Sequence, residues 1–138
     1  MNKTAPALLP VQHSISMSLP AGPPAAAAAR LCVRAALESW GVPADAYVAA
    51  LLTSELVTNA IRYTDTTVRL FVTCSCGHLR VYVHDTAREF PAALDATVDS
   101  EAGRGLMLVD SLSTDWGCYA TAAGKVVYFT LAFATDPD

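Results

Sequence analysis

Polar and apolar residues alternate through residues 11–19, "VQHSISMSL", with Val11, His13, Ile15, Met17 and Leu19 in one phase. A period of two predicts a strand. "PAGPP" breaks it, and the pattern then changes. "AAAAARLCVRAALESW" is rich in strong helix formers, Pro23 and Pro24 suit a first helical turn, and Gly41 supplies a stop. A second helix is expected to start near Pro43 and Asp45 and to run through Tyr63. Alternation returns in "TVRLFVTCS" and "HLRVYVHD", joined by a short turn at Cys76-Gly77, which predicts a hairpin. Val68, Leu70 and Val72 share one face of its first strand; Leu79, Val81 and Val83 share one face of its second. Residues 86–103 show little periodicity and read as a long irregular loop, a kind that is usually functional or disordered. "GRGLMLVDSLS" then opens a short helix, and "TDWGCYAT", "AAG" and "KVVYFTLAF" form a closing hairpin.

The element order is β-α-α-β-β-loop-α-β-β, with helices grouped and strands paired as hairpins. The expected fold is an α+β two-layer sandwich: a mixed, mostly antiparallel sheet with helices on one face. One domain is expected over residues 11–133, with tails at 1–10 and 134–138.

The second helix breaks its own pattern. At about 100° per residue, Val48, Leu51, Leu52, Leu56 and Tyr63 fall within an arc of about 140°, the width of a core-facing stripe. Glu55, Asn59 and Arg62 fall in the same arc. The stripe is apolar in its first half and polar in its second. Burying an unpaired carboxylate or amide costs several kcal/mol. That end of the stripe therefore opens into a cavity, meets a polar partner, or frays into solvent as a simple pair one turn apart.

Composition narrows the classes. Of 138 residues, 53% are hydrophobic and only 16% charged, enough apolar material for a core. A net charge of -4 argues against a general nucleic-acid binder, which would carry a basic patch. No segment reads as a membrane span or as a signal peptide, so a cytoplasmic location is expected. Cys32, Cys74, Cys76 and Cys118 form no C-x-x-C pair, and free thiols are the default for them. His84 sits on a strand, where filling space is the ordinary role.

Two further signals join Glu55 and Asn59. Asp85 ends the strand "RVYVHD" as the long loop begins, so it either faces a crevice or initiates a turn. Gly103-Arg104-Gly105 opens a helix, where glycines let backbone approach a ligand and free N–H groups suit phosphate; the alternative is an ordinary flexible join.

Together, in this order, the signals resemble the GHKL family of ATP-binding domains (gyrase, histidine kinase and MutL type, the Bergerat fold). Within it the chain is most similar to the small bacterial anti-sigma-factor serine/threonine kinases of the actinobacterial type. "ELVTNAIRYT" is similar to their N box, and "VYVHDTAREFP" sits where the first glycine box belongs. "GRGLMLVDSLSTDWG" resembles the second glycine box, and "GKVVYFTL" the last core strand. The resemblance runs from about residue 14 to 133.

The resemblance implies ATP and Mg²⁺ as cofactors. It makes Asn59 the Mg²⁺ ligand, Glu55 the general base, and Asp85 the acceptor of the adenine amino group. It places Ala87 against adenine, and Gly103, Gly105 and Leu106 beside the phosphates. Arg104 either adds charge there or faces solvent. Arg62 either touches phosphate or pairs with an acid. Residues 86–102 would form the ATP lid. The implied activity is transfer of the γ-phosphate to a serine or threonine of a small anti-sigma-factor antagonist, with a sigma factor as second partner and a homodimer as the common assembly. No direct nucleic acid and no membrane are implied. Two departures from the family's pattern imply modest nucleotide affinity, and the first of them, a glycine box without glycine, favours the alternative of a non-catalytic ATP-binding or degenerate interaction module. The usual D-x-G-x-G reads Asp85-Thr86-Ala87-Arg88-Glu89, and Lys125 follows Gly124 where many relatives carry threonine.

Overall fold

In the computed structural model of the chain every described strand belongs to one sheet, ordered β1-β2-β3-β5-β4, in which each pairing is antiparallel. The described residues are 12–62, 64, 66–86 and 101–135. The expected tail at 1–10, Tyr63, and residues 87–100 with Ala87, Arg88 and Glu89 lie outside them, as do 136–138. The elements are β1 (His13–Pro20), α1 (Pro24–Trp40), α2 (Ala46–Ile61), β2 (Thr67–Ser75), β3 (His78–Asp85), α3 (Glu101–Leu112), β4 (Asp115–Thr121) and β5 (Gly124–Ala132). The sheet that the sequence left mixed is antiparallel throughout its described strands.

Local chemistry explains the boundaries. Pro24 occupies the first turn of α1, and Gly41 ends it in the left-handed conformation at φ 63°. Asp45 caps α2 by accepting a hydrogen bond from the Val48 N–H at 3.1 Å. Cys76 and Gly77 both have positive φ, 49° and 78°, the backbone that a two-residue hairpin turn needs.

Alternation along β2 and β3 sends Val68, Leu70, Val72, Leu79, Val81 and Val83 to the face on which the helices lie, and all are fully buried. Phe129, Val127 and Leu131 of β5 complete that face. Helix α2 packs between α1 and α3 and rests on β2, β3 and β5. β1 is an edge strand: Leu19 is buried, but Ile15 of the same phase is exposed and His13 stacks on Trp40 at 5.2 Å. The opposite face of the sheet carries Tyr82, Tyr119 and Tyr128, and burial followed by the nearby Asp115 pushes the Tyr128 hydroxyl up to about 12.

The buried arc of α2 differs from the expected stripe. Its buried residues are Ala49, Ala50, Leu52, Thr53, Leu56, Val57, Asn59 and Ala60. These span about 180° of the helix, displaced by roughly 100° from the expected centre. Flanking helices account for the difference. A helix with neighbours on both sides and a sheet beneath buries about half its circumference. Small residues serve the helix–helix contacts, and Thr53 satisfies its hydroxyl by donating to the Ala49 carbonyl at 2.8 Å. Leu51, Glu55 and Arg62 consequently lie at the rim of the buried arc, while Asn59 lies within it.

Candidate functional site

The end of α2 and the end of β3 meet. Thr64, just beyond α2, shares a hydroxyl hydrogen bond of 3.4 Å with Thr86, which directly follows β3, and Thr66 lies 3.3 Å from the same hydroxyl. The last turns of α2, which carry Asn59, therefore stand at the same end of the molecule as Asp85. Helix α3 closes in from the side of Glu55. A Cβ built on Gly105 would lie 2.6 Å from Glu55 Oε2. The absent side chain at Gly105 is what lets the Glu55 carboxylate occupy the seam between the two helices.

Asn59 is 4% exposed, and neither its Oδ1 nor its Nδ2 has a hydrogen-bond partner among the described residues. Leaving such a group buried and unpaired costs about 1–3 kcal/mol. Native structures rarely retain one without a reason. The other orphaned atoms, Arg80 Nε and Ser113 Oγ, belong to side chains that remain partly exposed. An amide oxygen is a suitable ligand for Mg²⁺, and an amide N–H for a phosphate oxygen. No group of three or more His, Cys, Asp or Glu among the described residues could hold a metal. A metal here would thus depend on Asn59, on phosphate oxygens and on water, a donor set that magnesium accepts. This end of the site fits Mg-nucleotide phosphate.

The Asp85 end is built differently. Its carboxylate is buried, and Lys125 Nζ donates to Oδ1 at 2.8 Å and to Oδ2 at 3.0 Å. The two residues are directly opposite each other in the β3–β5 register. Gly124 makes the approach possible: a Cβ there would run into the Asp85 carbonyl oxygen and sit 2.7 Å from Thr86 Cα. The carboxylate expected to accept from the adenine amino group thus already accepts from an internal ammonium. In the sequence Lys125 stands out as a departure from the family's pattern, with nothing local to mark it as the partner of Asp85. The available signal was phase, because Lys125 alternates with the core-facing Val127, Phe129 and Leu131.

The remaining expected site residues divide. Helix α3 begins at Glu101, two residues before the expected opening at Gly103. Only the first four N–H groups of a helix lack an intrahelical acceptor. Gly103, third in α3, falls in that set, whereas Arg104 and Gly105, fourth and fifth, lie past it, and Gly105 contributes space rather than a free N–H. Leu106 packs in the hydrophobic core, so its side chain serves the fold. Arg62 is the exposed C-cap of α2 and has an interaction of its own. Ala87 lies outside the described residues, as does most of the expected lid. His84 hydrogen-bonds Thr121 at 3.1 Å, and the four cysteines are free thiols.

The fold and these residues define a known class. The family model of the histidine kinase-like ATPase domain matches residues 19–131, and the chain belongs to that family. The solved structure of the RsbU and RsbW domains of Rv1364c from Mycobacterium tuberculosis superposes with a TM-score of 0.64 at 21% identity. That match covers 92% of this chain and 35% of the other, so this chain spans about a third of its length and shares its fold. No sequence match is found among curated proteins. No described helix is long and apolar enough to cross a membrane.

Proposed function

We propose that the chain is an ATP-binding regulatory protein of the anti-sigma-factor kinase type. In this reading it transfers the γ-phosphate of ATP to a serine or threonine of a small anti-sigma-factor antagonist in the cytoplasm. A sigma factor is its second partner. The observation that carries the reading is Asn59, a buried amide whose polar atoms have no partner among the described residues, one helical turn from Glu55. Such a group is stabilised only when a ligand supplies the missing partners.

Bound Mg-ATP supplies the phosphoryl group and the metal's charge. The chain supplies the rest. Asn59 Oδ1 would hold the metal, and Nδ2 would donate to a phosphate oxygen. Glu55, at the rim of the buried arc and held against Gly105, would orient the acceptor hydroxyl and take its proton. Phosphoryl transfer needs mainly positioning and charge neutralisation, so this small set is sufficient.

Glu55→Ala is expected to leave Mg-ATP binding nearly intact and to abolish transfer to a cognate antagonist in a radiolabel assay. Unchanged transfer would refute the base assignment. The second reading, a non-catalytic interaction module, is favoured by one observation: the Asp85 carboxylate already has an internal partner. Calorimetry with Mg-ATP separates the two, because the module reading tolerates a complete absence of heat and the kinase reading does not.

A further inference from the structure

The adenine amino group can only donate a hydrogen bond through its N–H atoms. Its receiver in this site would be the Asp85 carboxylate, yet both oxygens of that carboxylate already accept from Lys125 Nζ. The pair is almost wholly enclosed, 1% and 0% exposed. Inside a protein a charged donor holds a carboxylate more strongly than a neutral amine does. Resting on the nucleotide reading above, we infer that Lys125 sets base specificity: it competes with adenine for Asp85, weakens ATP binding, and removes the preference for a 6-amino over a 6-oxo purine. A 6-oxo purine brings no amino donor at that position and has no such contact to lose, so the preference disappears.

The backbone makes this competition a fixed property of the fold. Gly124 presses β5 onto the Asp85 carbonyl and Thr86, with no room for even one methyl group. Lys125 therefore starts opposite Asp85 in the ladder, and the pair cannot be parted by a slip of one strand that leaves the other in place.

The test is calorimetry on the full chain with Mg-ATP and with Mg-ITP, its 6-oxo analogue. The wild-type protein is expected to bind the two within about threefold of each other, the lost preference being that of one hydrogen bond. Lys125→Thr is expected to tighten Mg-ATP by about tenfold or more, as a charge-assisted contact becomes available, and to leave Mg-ITP no tighter. Adding Asp85→Asn should erase that gain. A wild-type preference for ATP of about tenfold or more, or a folded Lys125→Thr variant that binds ATP no better, overturns the inference and leaves the nucleotide reading standing. Failure of every folded form to bind either nucleotide overturns both. If Lys125→Thr does not fold, the wild-type ATP-to-ITP ratio decides alone.

Discussion

The two ends of the site satisfy their polar groups in opposite ways. Around Asn59 an amide is buried with neither hydrogen-bonding atom paired among the described residues, beside a carboxylate that a glycine makes room for. Around Asp85 it encloses a carboxylate and an ammonium that satisfy each other. The first arrangement costs stability until something binds. The second is complete in the unliganded chain, and a ligand must compete with it. A binding site announces itself through unsatisfied groups, so the phosphate end reads as poised and the base end as occupied from within. That contrast is the physical ground for proposing that the Asn59 end receives phosphate while the Asp85 end resists the base.

The largest effect should come from splitting the internal pair. Lys125→Met leaves a buried carboxylate without its partner, which typically costs about 3–5 kcal/mol. Replacing both, Asp85→Leu with Lys125→Met, should recover most of that loss, because apolar residues of similar volume often serve as well as a buried ion pair. Urea denaturation of the two variants measures the difference. A small loss for Lys125→Met would mean that water or another group reaches Asp85 readily, and the base end would then resemble the phosphate end after all.

Gly124→Ala probes the backbone contact beneath the pair. The added methyl meets the Asp85 carbonyl and Thr86 Cα, and main chain cannot swing aside as a side-chain terminus can. A loss of about 1–3 kcal/mol is expected, the usual cost of overpacking. Thermal unfolding checks it. An unchanged midpoint would show that β5 does not press on the end of β3.

Asn59→Leu should act with the opposite sign at the other end. Replacing an unpaired buried amide with an apolar group is expected to raise the stability of the unliganded protein by about 1 kcal/mol. The same change should abolish the thermal shift produced by Mg-ATP. A variant less stable than wild type without nucleotide would reveal a partner for Asn59 and remove the contrast between the ends.

Much of the scaffold behind this contrast was legible in the residues. The boundaries of β2 and β3 follow from period-two alternation on either side of Cys76-Gly77, and those of α1 from Pro24 and Gly41. Glu55, Asn59 and Asp85 stood out because each is polar in an otherwise apolar phase. What stayed hidden was non-local. The start of α3 was masked by Gly103 and Gly105, poor helix formers whose placement tertiary packing overrides. The buried arc of α2 depends on α1 and α3 lying on both its flanks, which no single-helix projection contains. The Asp85–Lys125 pair spans 40 residues and requires β5 to enter the sheet between β3 and β4. Chain order alone would have set β4 beside β3. Phase could place Lys125 on the core side, but only the strand order could place it opposite Asp85.

The smallest effect on stability, and the sharpest on chemistry, is expected from Gly105→Ala. In a helix the change gains backbone propensity of up to about 1 kcal/mol. Against this stands the displacement of the Glu55 carboxylate, a flexible side-chain terminus that can move aside. The two should nearly cancel, leaving stability within about 0.5 kcal/mol of wild type. In the proposed reading Mg-ATP is held through Asn59, so its binding should change little. Transfer to an antagonist would depend on where Glu55 points, and a shift of about 1 Å in a positioned group can lower a rate by about 100-fold. A stable, nucleotide-binding variant with transfer reduced to that extent would separate the seat of Glu55 from the fold that holds it. Undiminished transfer would mean that the seam between α2 and α3 plays no part in aiming the carboxylate, and that Gly105 serves only to bring the helices together.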